Sequence, residues 1–234
     1  MAGNLEYPDP VGRQPTAVAL DDVSTAPGEG SAFGLRNVTL GVWPGRFLAV
    51  MGPPGSGSSA LLGCIAGQTS PVSGNVRWGD GGPRDVGQVA AVGTLPPQLR
   101  VSEVVERRRG PGADAATLRR IYRGAGLRRF RRRRIADLPA AVRQRVAVAA
   151  EAAAGPSILL AGLPDRSADG SLAAGLRGVV DSLGLTAVMA TDDPAAAARA
   201  DSVVFMRCGA VVDMAAGADA KLIEGCLARI RRHP

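Results

Sequence analysis

The stretch VMGPPGSGSSALLGCIAG, residues 50–67, decides the fold. It passes from an apolar run through a glycine-rich turn into an apolar segment of helical character. Its spacing is that of a phosphate-binding loop, which reads Gly, four residues, Gly, then Lys and Ser or Thr. Gly52, Pro53, Pro54, Gly55, Ser56, Gly57, Ser58 and Ser59 fill those places, and Ser58 stands where the lysine belongs. In such a loop backbone N–H groups and a helix N-terminus converge on an anion. Gly55 and Gly57 permit close backbone approach, and Ser59 falls where a hydroxyl would meet Mg²⁺. An ordinary glycine turn between a strand and a helix would also read this way.

Outward from the loop, apolar and β-branched runs predict strands at 17–23, 35–41 and 46–51, and a helix from Ser58 to Ala66. SGNVRWG (73–79) and VGQVAAV (86–92) read as short strands. Residues 101–137 turn polar, helical and arginine-rich, and 139–153 form a strong helix with Pro139 in its first turn. SILLAGL (157–163) is a continuous apolar run suited to a strand buried on both faces. A helix near 168–183, a strand at TAVMA (186–190), a helix near 194–200, a strand at SVVFM (202–206), a hairpin through RCGAVVD (207–213) and a helix from about 217 complete the chain. Strands alternating with helices predict an α/β domain with a mostly parallel sheet flanked by helices.

The 234 residues suffice for one such domain with a small insertion. Only 3% are aromatic, so the core must be built from Ala, Val and Leu. No long uncharged apolar run suited to crossing a membrane occurs. Residues 1–15 carry acids and prolines where a signal peptide needs an apolar run, and they read as a flexible leader on a cytoplasmic protein. Cys64, Cys208 and Cys226 lack metal or redox spacing, and Cys64 reads as a small core residue. The net charge of +7 comes almost wholly from arginine, since Lys221 is the only lysine and His233 the only histidine.

Several segments together resemble the nucleotide-binding subunit of ATP-binding cassette (ABC) transporters, most closely the lipoprotein-release and macrolide-exporter branch. LRNVTLGVWPGRFLAVMGPPGSGSSALLGCIAG (35–67) is similar to that family's opening strands, phosphate loop and first helix. SPVSGNVRWG (70–79), TLPPQLRVSEVV (94–105), LPAAVRQRVAVAAEAAAGPSILLAGLPDRSAD (138–169) and TAVMATDDPAAAARADSVVFMRCGAVV (186–212) follow in the family's order. The resemblance implies a P-loop NTPase-like ABC domain over 16–234. It adds an N-terminal antiparallel β part and a small helical subdomain inserted at about 92–140. It also implies ATP and Mg²⁺ as ligands, held by Gly52–Ser59 with Ser59 on the metal. As partners it implies a transmembrane permease subunit and a homodimer or heterodimer with another ABC ATPase, at the inner face of the cell membrane.

The departures from the family pattern are systematic. The adenine-stacking aromatic is replaced by Pro27, the loop lysine by Ser58 and the loop glutamine by Ala91. The Leu-Ser-Gly-Gly-Gln signature becomes Leu138-Pro139-Ala140-Ala141-Val142, with Arg143-Gln144-Arg145 retained after it. The metal-holding aspartate and catalytic glutamate fall on Gly162 and Leu163, and the switch histidine on Asp192; only Asp169 keeps its expected type. Asp165 and Asp192 remain as carboxylates able to meet a metal, or as solvated loop charges. These losses predict a catalytically inactive subunit, a pseudo-ATPase, with weak ATP and Mg²⁺ binding. The alternative is an ATP-hydrolysing subunit completed by an active partner. A third reading, a basic nucleic-acid-binding module, draws on LRRFRRRRIADL (127–138). The run Arg128–Arg134 there could meet anionic lipid, an acidic partner or nucleic acid, or could be a solvated face.

Overall fold

The computed structural model describes residues 16–27, 33–79, 82, 85–89, 94–162 and 170–232. The expected leader, Ala91 and the segment Leu163–Asp169 lie outside the described residues.

Two sheets form. Strands β1 (Val18–Ser24), β2 (Val38–Val42) and β4 (Ser73–Trp78) make an antiparallel sheet in the order β2-β1-β4, with Val18 opposite Val42 on one side and Trp78 on the other. Strands β3 (Phe47–Met51), β5 (Val86–Gln88), β6 (Ile158–Ala161), β7 (Thr186–Ala190), β8 (Ser202–Arg207) and β9 (Ala210–Ala216) make the second sheet. Its order is β5-β6-β7-β3-β8-β9, parallel throughout except for β9, which returns antiparallel along β8.

The continuous apolar runs have a simple cause. Alternate residues of a strand point to opposite faces, and both faces of the central strands are covered. Phe47, Ala49 and Met51 join Leu159, Met189 and Phe205 in a core facing the longer helices. Leu48 and Val50 join Leu160, Val188 and Val204 in a second core, under the antiparallel sheet and α1 (Ser58–Ile65).

Helices α2 (Val101–Arg107), α3 (Ala115–Gly124) and α4 (Ala140–Ala153), with 3₁₀ turns at Arg128–Phe130 and Ile135–Asp137, build the expected helical region. Helices α5 (Ser171–Leu183), α6 (Pro194–Ala197) and α7 (Ala220–Arg232) follow.

The boundaries differ from expectation for local reasons. β2 begins at 38 rather than 35 because Asn37 is left-handed, at φ 48°, and the Leu35 N–H donates to Thr25 Oγ1 instead of to a ladder. α6 stops at 197 because the next N–H groups bond three residues back, Arg199 to Ala196 and Ala200 to Ala197. β9 runs on to Ala216 and Gly217 turns the chain at φ 58°, which delays α7 to 220. Pro139 is the residue preceding α4 rather than part of its first turn.

One polar staple ties three elements of the central layer. The Asp201 carboxylate accepts from the Phe47 N–H at 2.7 Å and pairs with Arg177 at 3.0 Å and Arg46 at 3.7 Å. Burial pushes this carboxyl up, but the Phe47 hydrogen bond and the two guanidinium groups outweigh it and hold the carboxyl below its ordinary value of 3.8. A carboxylate whose folded value is depressed stabilises the fold above its unfolded value, and that contribution is lost as pH falls through the folded one. Asp201→Asn should therefore destabilise by about 1.5–3 kcal/mol at neutral pH. Thermal melts should show the gap between the two proteins closing below pH ~4. A gap that stays constant down to acid pH would contradict the staple.

Candidate functional site

The strand-loop-helix expected at residues 50–67 is present. β3 ends at Met51, the chain turns through Gly52–Gly57, and α1 starts at Ser58. Gly52 is required by contact: a Cβ there would lie 2.4 Å from the Met206 carbonyl oxygen and 2.6 Å from the Ser56 side chain. Gly57, at φ 101°, precedes α1 in a conformation that L side chains rarely adopt, and its Cβ would lie 2.9 Å from Gly209. Two backbone bonds fix the turn, from the Ser56 N–H to the Pro53 carbonyl and from the Gly209 N–H to the Ser56 carbonyl, each 2.9 Å. The first-turn N–H groups of α1 have no acceptors within the helix, and no acidic residue occupies that turn.

Six of the eight expected loop residues, Gly52, Pro53, Pro54, Gly55, Ser58 and Ser59, line an open cleft of about 520 Å³. Ser56 and Gly57 do not line it; both are buried beneath the turn. The opposite walls come from the C-terminal ends of neighbouring strands: Gln88 at the end of β5 with Val89 after it, Gly162 after β6, and Thr191 and Asp192 after β7. Open α/β sheets bind ligands at this edge.

Ser58, Gly162 and Asp192, far apart in sequence, therefore meet at one cleft. Asp192 is the one charged side chain among the described residues lining it. Pro27 is exposed and does not line the cleft, while Leu163, Asp165 and Asp169 lie outside the described residues. Lys221 sits on α7 and borders a different hollow, with Asp219 and Arg229; His233 lies outside the described residues.

Gln88 and Thr191 escaped the sequence reading. Gln88 ends a three-residue strand, and only the pairing of β5 with β6 reveals that it reaches the cleft. The polar residue closing a short apolar strand was the one available signal.

At the start of α4, Leu138 and Val142 are buried while Pro139 and Ala140 are exposed. None of them lines the cleft. Pro139 supplies neither an N–H nor a side-chain oxygen, and no side chain caps α4. The segment TLPPQLRVSEVV walls a separate groove of about 300 Å³ through Leu95, Pro96, Leu99 and Val104, against Ala147 and Ala150 of α4. Glu151, nearly buried beside it, pairs with Arg108.

Under the cleft, Cys64 of α1 is 1% exposed, and burial pushes its thiol up to about 11. Since the thiolate is the nucleophile, the native protein should leave Cys64 unalkylated at pH ~8 and release it on denaturation. Mass spectrometry of trapped thiols measures this directly, and rapid native labelling of Cys64 would contradict the packing of α1.

A family model described as ABC transporter matches residues 35–162, more than half of the chain. The chain belongs to the ABC transporter family. Among similar ABC proteins, the taurine import ATP-binding protein TauB of Burkholderia pseudomallei is 38% identical over 141 residues, covering 56% of this chain and 54% of the relative. The Fe(3+) ions import ATP-binding protein FbpC 2 of Rhodococcus jostii is 31% identical over 200 residues, covering 77% and 57% respectively. The chain thus spans a little over half the length of these curated ABC relatives. Among solved structures, cbiO1 from Clostridium perfringens, part of the ABC transporter complex cbiONQ, superposes with a TM-score of 0.75 at 18% identity. That match covers 94% of both chains and supports the ABC fold. A dimeric ATP-binding cassette, MJ0796, in a post-hydrolysis state bound to ADP and Pi, matches with a TM-score of 0.61 at 26% identity, covering 86% of this chain and 99% of its own.

Proposed function

We propose that this chain is a nucleotide-binding-type subunit of an ABC transporter assembly that has kept the shape of an ATP site and lost its catalysis. The observation that carries this is the convergence of Ser58, Gly162 and Asp192 on one cleft whose single charged side chain, among the described residues, is an anion. Phosphoryl transfer relies on positioning and on stabilising negative charge. A serine donates one hydrogen bond where a lysine would neutralise, and glycine offers a metal nothing.

The loop backbone suits a phosphate, but the side chains do not suit Mg-ATP. Ser59 gives one hydroxyl, and Gly162 lines the cleft where the resemblance expects the metal-holding aspartate. Asp192 places negative charge in the cavity that the phosphates would enter. ATP and Mg²⁺ therefore bind weakly, and Gly52–Ser59 form a contact surface for phosphate rather than a catalytic centre.

The partners in this proposal are a transmembrane permease subunit and a second ABC subunit, identical or paralogous, at the inner face of the membrane. None of the helices among the described residues is long and apolar enough to cross a membrane. The leader 1–15, the domain 16–234 and its helical insertion at about 92–140 belong to the same proposal. So does the lipoprotein-release and macrolide branch, which rests on motif order alone. The cargo is set by the permease.

Calorimetric titration with Mg-ATP tests the reading. The expected result is binding no tighter than about the millimolar range, under roughly 4 kcal/mol. Micromolar binding would restore a nucleotide role. The competing reading, an active ATPase completed by a paralogue, draws on the intact loop backbone and on relatives named as ATP-binding proteins. ATP turnover that appears only on mixing with such a partner would establish it.

A further inference from the structure

Arginine is not spread evenly along this chain. Residues 94–140 hold 13 of the 27 arginines against four acidic residues, so this lobe carries +9 while the rest of the chain sums to −2. A compositional bias of the whole sequence would not produce that division.

The densest part is Arg128, Arg129 and Arg131–Arg134, all exposed. Their backbone is pinned to the start of α2. Val101 and Ser102 N–H groups donate to the Arg133 and Arg131 carbonyls at 3.0 Å, and the Ile135 N–H donates to the Leu99 carbonyl at 2.8 Å. Arg131 lies 4.6 Å over the Tyr122 ring and Arg129 lies 4.9 Å over Phe130. Among the described residues, Arg128, Arg132, Arg133 and Arg134 have no carboxylate within ion-pair distance; the ion pairs of this lobe use Arg108 and Arg109. A fixed scaffold thus presents free guanidinium groups, whose planar fork matches phosphate oxygens.

We propose that the arginine face Arg128–Arg134 contacts anionic phospholipid headgroups, holding the helical lobe of this subunit against the membrane surface. Charge complementarity to phosphate and the transporter family of the chain favour this occupant. Nucleic acid is disfavoured because sequence-tolerant single-strand binding uses stacked aromatics. Here Tyr122 is 2% exposed and Phe130 lies half-buried beneath Arg129. Arg128 and Arg129 sit on a 3₁₀ turn and Arg131–Arg134 on the irregular stretch that follows, rather than along one helix face suited to a groove. No cavity described above includes any of them, which fits a diffuse charged surface better than a shaped acidic peptide. The inference is independent of whether the cleft hydrolyses ATP, and its failure would leave the cleft reading untouched.

The test is sedimentation of the full chain with phosphatidylcholine vesicles, with and without about 30% phosphatidylglycerol. The expected result is binding to the anionic vesicles alone, lost between about 0.1 M and about 0.5 M salt. The quadruple variant Arg128→Gln, Arg132→Gln, Arg133→Gln, Arg134→Gln spares the stacked Arg131 and should lower partitioning at least about tenfold. The double variant Arg36→Gln, Arg199→Gln, outside the lobe, should lower it by less than about threefold. Circular dichroism melts of each variant confirm folding. Equal partitioning onto neutral vesicles, an equal loss in the outside variant, or tighter salt-sensitive binding to a single-stranded RNA oligonucleotide than to anionic vesicles would each overturn the proposal. If the quadruple variant fails to fold, the salt and lipid dependence of the native chain decides alone.

Discussion

Ser58→Lys is expected to raise the affinity for Mg-ATP by about tenfold or more while leaving turnover at background. Ser58 opens α1, is half-buried and lines the cleft, so a lysine there projects from the first turn of the helix into the space shared with Asp192. One positive charge beside phosphate oxygens in a partly enclosed site is worth roughly one to a few kcal/mol, enough for the stated gain. Turnover should not follow. Gly162 still offers no metal ligand and Leu163 no carboxylate, and each missing preorganised group typically costs roughly 10²–10³ in rate. Such groups act as a unit, so restoring one recovers little. Calorimetry for affinity and a phosphate-release assay for turnover separate the two effects. An unchanged affinity would mean that the loop backbone does not present a phosphate site. A turnover gain would mean that the other positions are not what blocks catalysis.

Gly178→Ala should be strongly damaging to the scaffold. α3 and α5 cross where Gly124 meets Gly178: a Cβ at Gly178 would lie 2.0 Å from the Gly124 carbonyl oxygen, and one at Gly124 2.3 Å from the Gly178 carbonyl oxygen. The obstacle is backbone in both directions, so no side chain can rotate aside, and the two helices must separate. Overpacking of this kind typically destabilises by about 1–3 kcal/mol, which for a domain of this size lowers Tm by roughly 2–4 °C per kcal/mol. The crossing joins the arginine-rich lobe to the layer of α5, so Gly178→Ala should also loosen α3, visible as faster amide exchange there. Gly225→Ala is the matched control. Gly225 lies inside α7 with open space around its Cβ position, and alanine there should stabilise by up to about 1 kcal/mol. Equal effects at the two sites would refute the close crossing.

The fold was legible because its central strands are covered on both faces. TAVMA coincides with β7, and FLAVM and ILLA are buried along their whole length, so continuous apolar runs announced them. Boundaries were missed where single residues decide them, as at left-handed Asn37 and at Gly217. The candidate site was legible in part. The loop spacing and the positions of Ser58, Gly162 and Asp192 were readable in the sequence, and the cleft unites them. Gln88 and Thr191 were not readable, because strand order rather than any local pattern brings them to the edge. The inward burial of Ser56 was hidden for a similar reason: it depends on Gly209, more than 150 residues downstream, bonding to the Ser56 carbonyl.

The close Gly124–Gly178 contact could not be read either. Glycine within a helical pattern signals a weak helix by itself, and only the packing of α3 on α5 shows why the side chain must be absent. The low aromatic content had one legible consequence. Alanine fills α4, where Ala147, Ala149, Ala150, Ala152 and Ala153 are buried, so helices pack through small residues rather than large anchors.

The most direct test of the central claim is steady-state phosphate release from Mg-ATP by the purified chain, measured beside a variant lacking residues 52–59. The account predicts equal rates, indistinguishable from buffer. Turnover in the intact chain that disappears when the loop is deleted would contradict it.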